Sequence, residues 1–122
     1  MFFVVDAASP VGLADQLAAQ IRGALADGRL RPGEKLPPAR QVAAGLDVNM
    51  HTVLRAYATV RDEGLIELRR GRGAQVVDDL DPGRLRLDTE IRALAATALR
   101  LGVGQDELVD RVRRAMRGVQ AT

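Results

Sequence analysis

Residues 36–57, LPPARQVAAGLDVNMHTVLRAY, place two short helix-compatible segments on either side of Gly45-Leu46-Asp47-Val48. Neither is long enough to fold alone, but the pair has the lengths and the break of a helix-turn-helix. In the first segment Val42, Ala43 and Leu46 recur at i, i+1 and i+4 and define an inward face, leaving Arg40 and Gln41 outside. In the second, Asn49 stands at the N-cap, and Val53, Ala56, Tyr57 and Val60 make the buried stripe. Met50, His51, Leu54 and Arg55 start on other faces. The first turn of this segment is therefore polar and accessible, as a helix that reads a DNA groove requires.

The flanking residues supply what such a pair needs to be held. Leu13, Leu17, Ile21 and Leu25 recur every four positions with Ala14, Ala18 and Ala24 beside them, which predicts a first helix that stops at Gly28. A Pro32-Gly33 turn follows, and Pro37-Pro38 opens the next helix, with Pro38 near its first position. The second helix of the pair runs from about Asn49 to Glu63 and ends at Gly64. Leu65–Arg69 and Ala74–Val77 are strand-sized runs around Arg70-Gly71-Arg72-Gly73, whose glycines suit the positive φ of a hairpin. A basic hairpin directly after a helix-turn-helix reads as a wing. Phe2-Phe3-Val4-Val5 is open between a short strand and a hydrophobic flap.

Asp78 to Gly83 is polar and ends in Pro-Gly, so it marks a boundary. Beyond it, Leu87, Ile91, Leu94, Ala98 and Leu101 form one stripe and Leu108, Val112, Ala115, Met116 and Val119 another, joined through Gly102-Val103-Gly104. A two-helix hairpin cannot hide both stripes within itself, and a second copy of the chain is the expected cover. The dimer contacts expected are Leu87, Ile91, Leu94, Ala98, Leu101, Leu108, Val112 and Met116. The fold expected is mainly α with a small β-hairpin: a winged helix-turn-helix over residues 1–78 with a lead-in over 1–9, a linker over 79–83 and a two-helix dimerisation tail over 84–122.

Composition narrows the class. At 122 residues the chain suits one domain or one domain with an appendage, and a long catalytic architecture is not expected. Aromatics are 2% against 47% hydrophobic residues, so the core must be built from Leu, Val, Ile and Ala, which favours helices. A net charge of +2 does not by itself announce a nucleic-acid partner. With no cysteine there is neither disulfide nor thiolate metal site. The apolar start is too short to span a membrane and lacks the build of a signal peptide, so a cytoplasmic location with no membrane partner is expected.

Several ordered pieces together resemble the N-terminal winged helix-turn-helix of the GntR transcription regulators, over about Pro10 to Val77. They are Gln16, Gly28 to Pro37, Arg40, Thr52-Val53, Arg55-Ala56-Tyr57, Glu63-Gly64-Leu65-Ile66, Arg70-Gly71-Arg72-Gly73 and Val76. The tail, with Ala98 to Val103 and Asp106-Glu107-Leu108, is similar to the short C-terminus of the YtrA subfamily, whose members pair through it. The resemblance implies a dimeric, sequence-specific regulator, most often a repressor, acting on an inverted repeat and often on genes for membrane transporters. Two departures stand out. Pro38 stands where the family often has Ser or Thr, and Asn49-Met50-His51-Thr52 replaces the subfamily's common Asn-Pro-Asn-Thr, so the bases read here are expected to differ.

The expected contacts to double-stranded DNA are Arg40, Asn49, His51, Thr52, Arg55, Arg69, Arg70, Arg72 and Gly73. The Arg40 guanidinium can take either a phosphate or the O6/N7 edge of guanine, or pair with a surface acid. Asn49 is either a contact or only a cap, Arg55 is a phosphate clamp, and Tyr57 belongs to the core. Arg69, Arg70 and Arg72 make a positive hairpin tip suited to phosphate or minor-groove contact. Asp78, Asp79 and Asp81 read as linker rather than metal ligands, and no cofactor, metal or catalytic constellation is expected. Gly71-Arg72-Gly73 lacks the strand-to-helix context of a nucleotide fingerprint. Any effector, if there is one, would bind at the dimer interface or between tail and wing. A helical interaction module without DNA binding is the rival reading. A fragment of an enzyme fused to an aminotransferase-like domain finds no support, since the chain has no Lys beyond Lys35 for a Schiff base.

Overall fold

The computed structural model describes residues 3–121. Its elements are α1 (Leu13–Ala26), α2 (Ala39–Leu46), α3 (Met50–Asp62), β1 (Ile66–Arg69), β2 (Gly73–Val76), α4 (Pro82–Leu101) and α5 (Gln105–Gln120). It is a mostly helical winged helix-turn-helix followed by two C-terminal helices, divided into one unit through Leu85 and a second from Arg86.

The first unit is built on the aliphatic stripes. Leu17, Ile21 and Leu25 of α1 meet Val53, Ala56 and Val60 of α3, and Leu30, Ile66 and Val76 close the core. Val42 and Ala43 of α2 are buried and Leu46 is half-buried against them. α1 ends at Gly28, whose φ of 77° is the left-handed conformation a side chain resists. The turn between α2 and α3 is set by Asp47 at φ 55°, with the Val48 amide donating to the Ala43 carbonyl at 3.0 Å. Pro38 lies one residue ahead of α2, at its N-cap, so the helix start has no side-chain cap where a Ser or Thr would supply one.

β1 and β2 pair antiparallel from Ile66↔Val76 to Arg69↔Gly73. The Arg72 amide donates to the Arg69 carbonyl at 3.0 Å, and Gly71 takes φ 76° at the third position of that turn, as a type II turn demands. The far edge of β2 is covered by residues read from the sequence only as a turn. The Leu36 amide donates to Ala74 at 3.0 Å, the Val76 amide to Glu34 at 2.8 Å, and Lys35 bridges Gln75. A run this short has no period-2 signature, and only its neighbour makes it strand-like.

Of the two alternatives for the lead-in, its described residues form no strand. Its backbone is bound by side chains of α1: the Val4 amide donates to Gln20 Oε1 at 2.9 Å, the Asp6 amide to Gln16 Oε1 at 2.8 Å, and Gln20 Nε2 donates back to the Val4 carbonyl. Phe3 and Val5 rest on the core, and Phe2 lies outside the described residues.

The stretch expected as a linker over 79–83 is shorter than that. Asp81 Oδ1 accepts from the amides of Gly83 (3.0 Å) and Arg84 (3.3 Å), and Pro82 opens α4, so Asp81-Pro82-Gly83 is a helix start. Leu85, one turn in, is buried with the first unit's core.

In the second unit α4 ends at Gly102 (φ 72°), and the Val103 amide donates to Ala98 at 2.9 Å. α5 has no buried residue. An open apolar groove of about 470 Å³ runs between the helices, lined by Leu87, Ile91 and Leu94 on one wall and Leu108, Val109 and Val112 on the other. Ala98, expected among the dimer contacts, is buried at 6% exposure. Leu101 and Met116, at 73% and 59%, are open but lie outside the groove. No helix among the described residues is long and apolar enough to cross a membrane.

Candidate nucleic-acid interface

The Asn49 side chain caps α3 by accepting from the His51 amide at 2.8 Å, which spends its Oδ1 and leaves its amide group as the remaining donor. His51 and Arg55 are exposed along the same helix and Thr52 is half-buried. The opposite face of α3 is locked into the core, so these side chains start from a fixed backbone.

Tyr57 joins α3 to the approach of α2. Its ring is buried and its hydroxyl donates to the Pro37 carbonyl at 2.5 Å, and burial pushes the phenol up to about 12. Arg40 follows in the first turn of α2, exposed. An open groove of about 390 Å³ brings three elements to one place: Pro38 and Ala39 before and in α2, Leu54 and Tyr57 of α3, and Leu68, Arg69, Arg70 and Gly73 of the hairpin. Start of α2, side of α3 and wing thus surround one concavity.

The arginines divide into two kinds. Arg69 donates through Nε and an Nη to Glu67 Oε2 at 3.2 and 3.0 Å, so this expected contact is already engaged along its own strand. Among the described residues Arg40, Arg55, Arg70 and Arg72 have no carboxylate partner. Four exposed guanidiniums from α2, α3 and the hairpin without acids to satisfy them are suited to phosphates or base edges.

Sequence reasoning missed Leu54 and Leu68, each 41% exposed on the groove. Its spacing puts Leu54 off the buried stripe, but nothing in spacing tells an exposed leucine beside a wing from one in open solvent. Asp78 Oδ1 lies beside Gly33, and Asp81 caps α4.

A family model for the bacterial regulatory proteins of the gntR family matches residues 13–76, over half of the chain and coincident with the run from the start of α1 to the end of β2. The chain belongs to the gntR family. Within that family it is of the YtrA type. It is 33% identical over 75 residues to the HTH-type transcriptional repressor YtrA of Bacillus subtilis, a match covering 62% of this chain and 58% of that protein, less than two thirds of its length. It is 31% identical over 105 residues to the uncharacterized HTH-type transcriptional regulator YhcF of the same organism, covering 80% and 84%. Among solved structures, YtrA from Sulfolobus acidocaldarius, a GntR-family transcription factor, is 39% identical with a TM-score of 0.60, covering 76% of this chain and 97% of that one. The relatives it matches are named transcriptional regulators of this family.

Proposed function

We propose that the chain acts as a homodimeric repressor that binds an inverted-repeat operator, with each copy reading one half-site through α3 and gripping the flanking backbone through Arg40, Arg55 and the wing arginines. The observation that carries this reading is the set of exposed guanidiniums at Arg40, Arg55, Arg70 and Arg72, on α2, α3 and the hairpin, with no carboxylate partner among the described residues, beside a groove that those three elements share and Arg70 lines. His51 and Thr52, in the first turn of α3, supply base-edge or phosphate contacts, and the Gly73 backbone lets the hairpin approach closely. Asn49 and Arg69 act mainly through structure, as cap and as partner of Glu67. The exposed stripes of α4 and α5 support pairing of two copies, which sets the half-sites about one helical turn apart, roughly 34 to 36 Å. Likeness to the YtrA repressor favours repression over activation, and the subfamily's habit points to transporter genes as targets.

Selection of bound fragments from a random DNA pool, followed by retention assays on the winning duplex, tests the proposal. Arg40→Ala combined with Arg72→Ala is expected to abolish retention while the mass in solution stays that of the wild type. Selected sequences without two-fold symmetry, or retention unaffected by both substitutions, would overturn it and favour the protein-interaction reading.

A further inference from the structure

Leu54 is a large apolar side chain on the open side of α3. His51, Leu54, Arg55 and Ala58 recur at i, i+3, i+4 and i+7 and so lie within about 100° of the helix circumference, opposite the stripe of Val53, Ala56 and Val60 that is locked into the core. Leu54 is 41% exposed on that arc, between an imidazole and a guanidinium, and the half-buried Ala58 leaves the following turn without bulk. Leu68 lines the same groove of about 390 Å³ and is itself 41% exposed, so the hairpin does not close over Leu54. Arg55 beside it on α3 and Arg70 on the groove have no carboxylate partner among the described residues, which makes the surroundings of this leucine suited to a polyanion.

From this placement we infer that Leu54 reads the C5-methyl group of a thymine and so fixes an A·T pair at one position of each half-site. This rests on the operator reading proposed above, in which α3 lies in the major groove. The base edges of that groove present hydrogen-bond donors and acceptors, and the thymine methyl is the apolar group among them. A leucine set against a guanine, adenine or cytosine edge removes water from a polar atom and offers it no partner in return. Set against a methyl, both surfaces are apolar and the water leaves both without loss of a hydrogen bond. Burial of one such carbon is worth roughly fourfold in affinity. His51 and Arg55 on the same arc bind by hydrogen bonds and charge, so Leu54 adds a kind of discrimination that neither supplies.

Uracil differs from thymine only by that methyl and pairs alike, so exchange of one thymine at a time in the duplex selected by the wild type isolates the contact. Affinities are measured with the full chain. At one thymine in each half-site, uracil is expected to weaken wild-type binding roughly fourfold per half-site. Leu54→Ala is expected to bind the thymine duplex more weakly than the wild type and to be indifferent to the exchange, whereas Leu54→Met, still long and apolar, keeps the difference. Both variants should retain the wild-type helix content by circular dichroism, since Leu54 stands off the core stripe. Uracil tolerated without loss at every position, or a uracil effect undiminished in Leu54→Ala, would overturn the inference. Either result, obtained on a symmetric selected duplex, leaves the operator reading standing and assigns the groove at Leu54 to an occupant other than a base edge. A wild type that retains no fragment from the pool removes both.

Discussion

At the residue scale, two side chains hold conformations that their own chemistry resists. Asp47 occupies the left-handed region at the centre of the helix-turn-helix, where a Cβ costs energy that glycine avoids. Asp47→Gly is expected to raise unfolding free energy by about 0.5 kcal/mol, since relief of the backbone slightly exceeds the added freedom of the unfolded chain. Asp47→Val should lower it by about 1–2 kcal/mol. Urea denaturation of both variants checks the sign. Tyr57 is the second case. Below pH 10 its phenol is neutral whether folded or unfolded, and its contribution is complete. As pH rises from 10 toward about 12, the unfolded chain releases the proton while the folded one keeps it, so stability falls over that window. The loss should be of order 1–2 kcal/mol and absent in Tyr57→Phe. That variant would also be less stable at neutral pH, having left the Pro37 carbonyl unpaired. Parallel pH dependence in the two proteins would refute the assignment.

At the scale of elements, α3 is held at both ends by unlike devices. Its start is capped by Asn49, and its end is tied to α1 by Arg22, which donates Nε to Glu63 Oε1 at 2.6 Å and an Nη to Oε2 at 2.5 Å. The hydrogen bond to Glu63 raises the Arg22 guanidinium further, and the fork is only partly solvated. Arg22→Ala and Glu63→Ala are each expected to cost about 1–3 kcal/mol, and the double variant clearly less than their sum. Strict additivity in a thermal-denaturation cycle would show that the fork contributes no coupling. Since neither residue lies on the groove, the operator contacts are expected to survive at temperatures where each variant remains folded.

For the molecule as a whole, the proposed function is an electrostatic one carried by a chain of nearly balanced charge. The net charge of +2 hides the local fact that Arg40, Arg55, Arg70 and Arg72 lack acids while Arg22, Arg29, Arg111 and Arg114 are paired with theirs. Operator affinity should therefore fall steeply between dilute and physiological salt, with a slope of about −0.9 per phosphate neutralised. Removing Arg55 should flatten that slope by about one phosphate per copy without changing the selected sequence, whereas His51→Ala should alter base preference. A slope insensitive to Arg55 would take it out of the backbone contacts. Affinity titrations at several salt concentrations decide this.

Helix positions, their stops at Gly28, Gly64 and Gly102, the Asn49 cap and the wing glycines were legible in the order of residues, because periodicity, capping and positive φ are local properties. So were the buried stripes, which depend only on spacing once a helix exists. Pairing and exposure between distant segments were not. Lys35 bridging Gln75, Gln16 and Gln20 binding the lead-in, and Arg22 engaging Glu63 all arise from what the fold sets beside each residue. Arg22 and Glu63 stand 41 residues apart, and only the tertiary structure sets them in one ion pair, since ion pairing depends on separation in space and not along the chain.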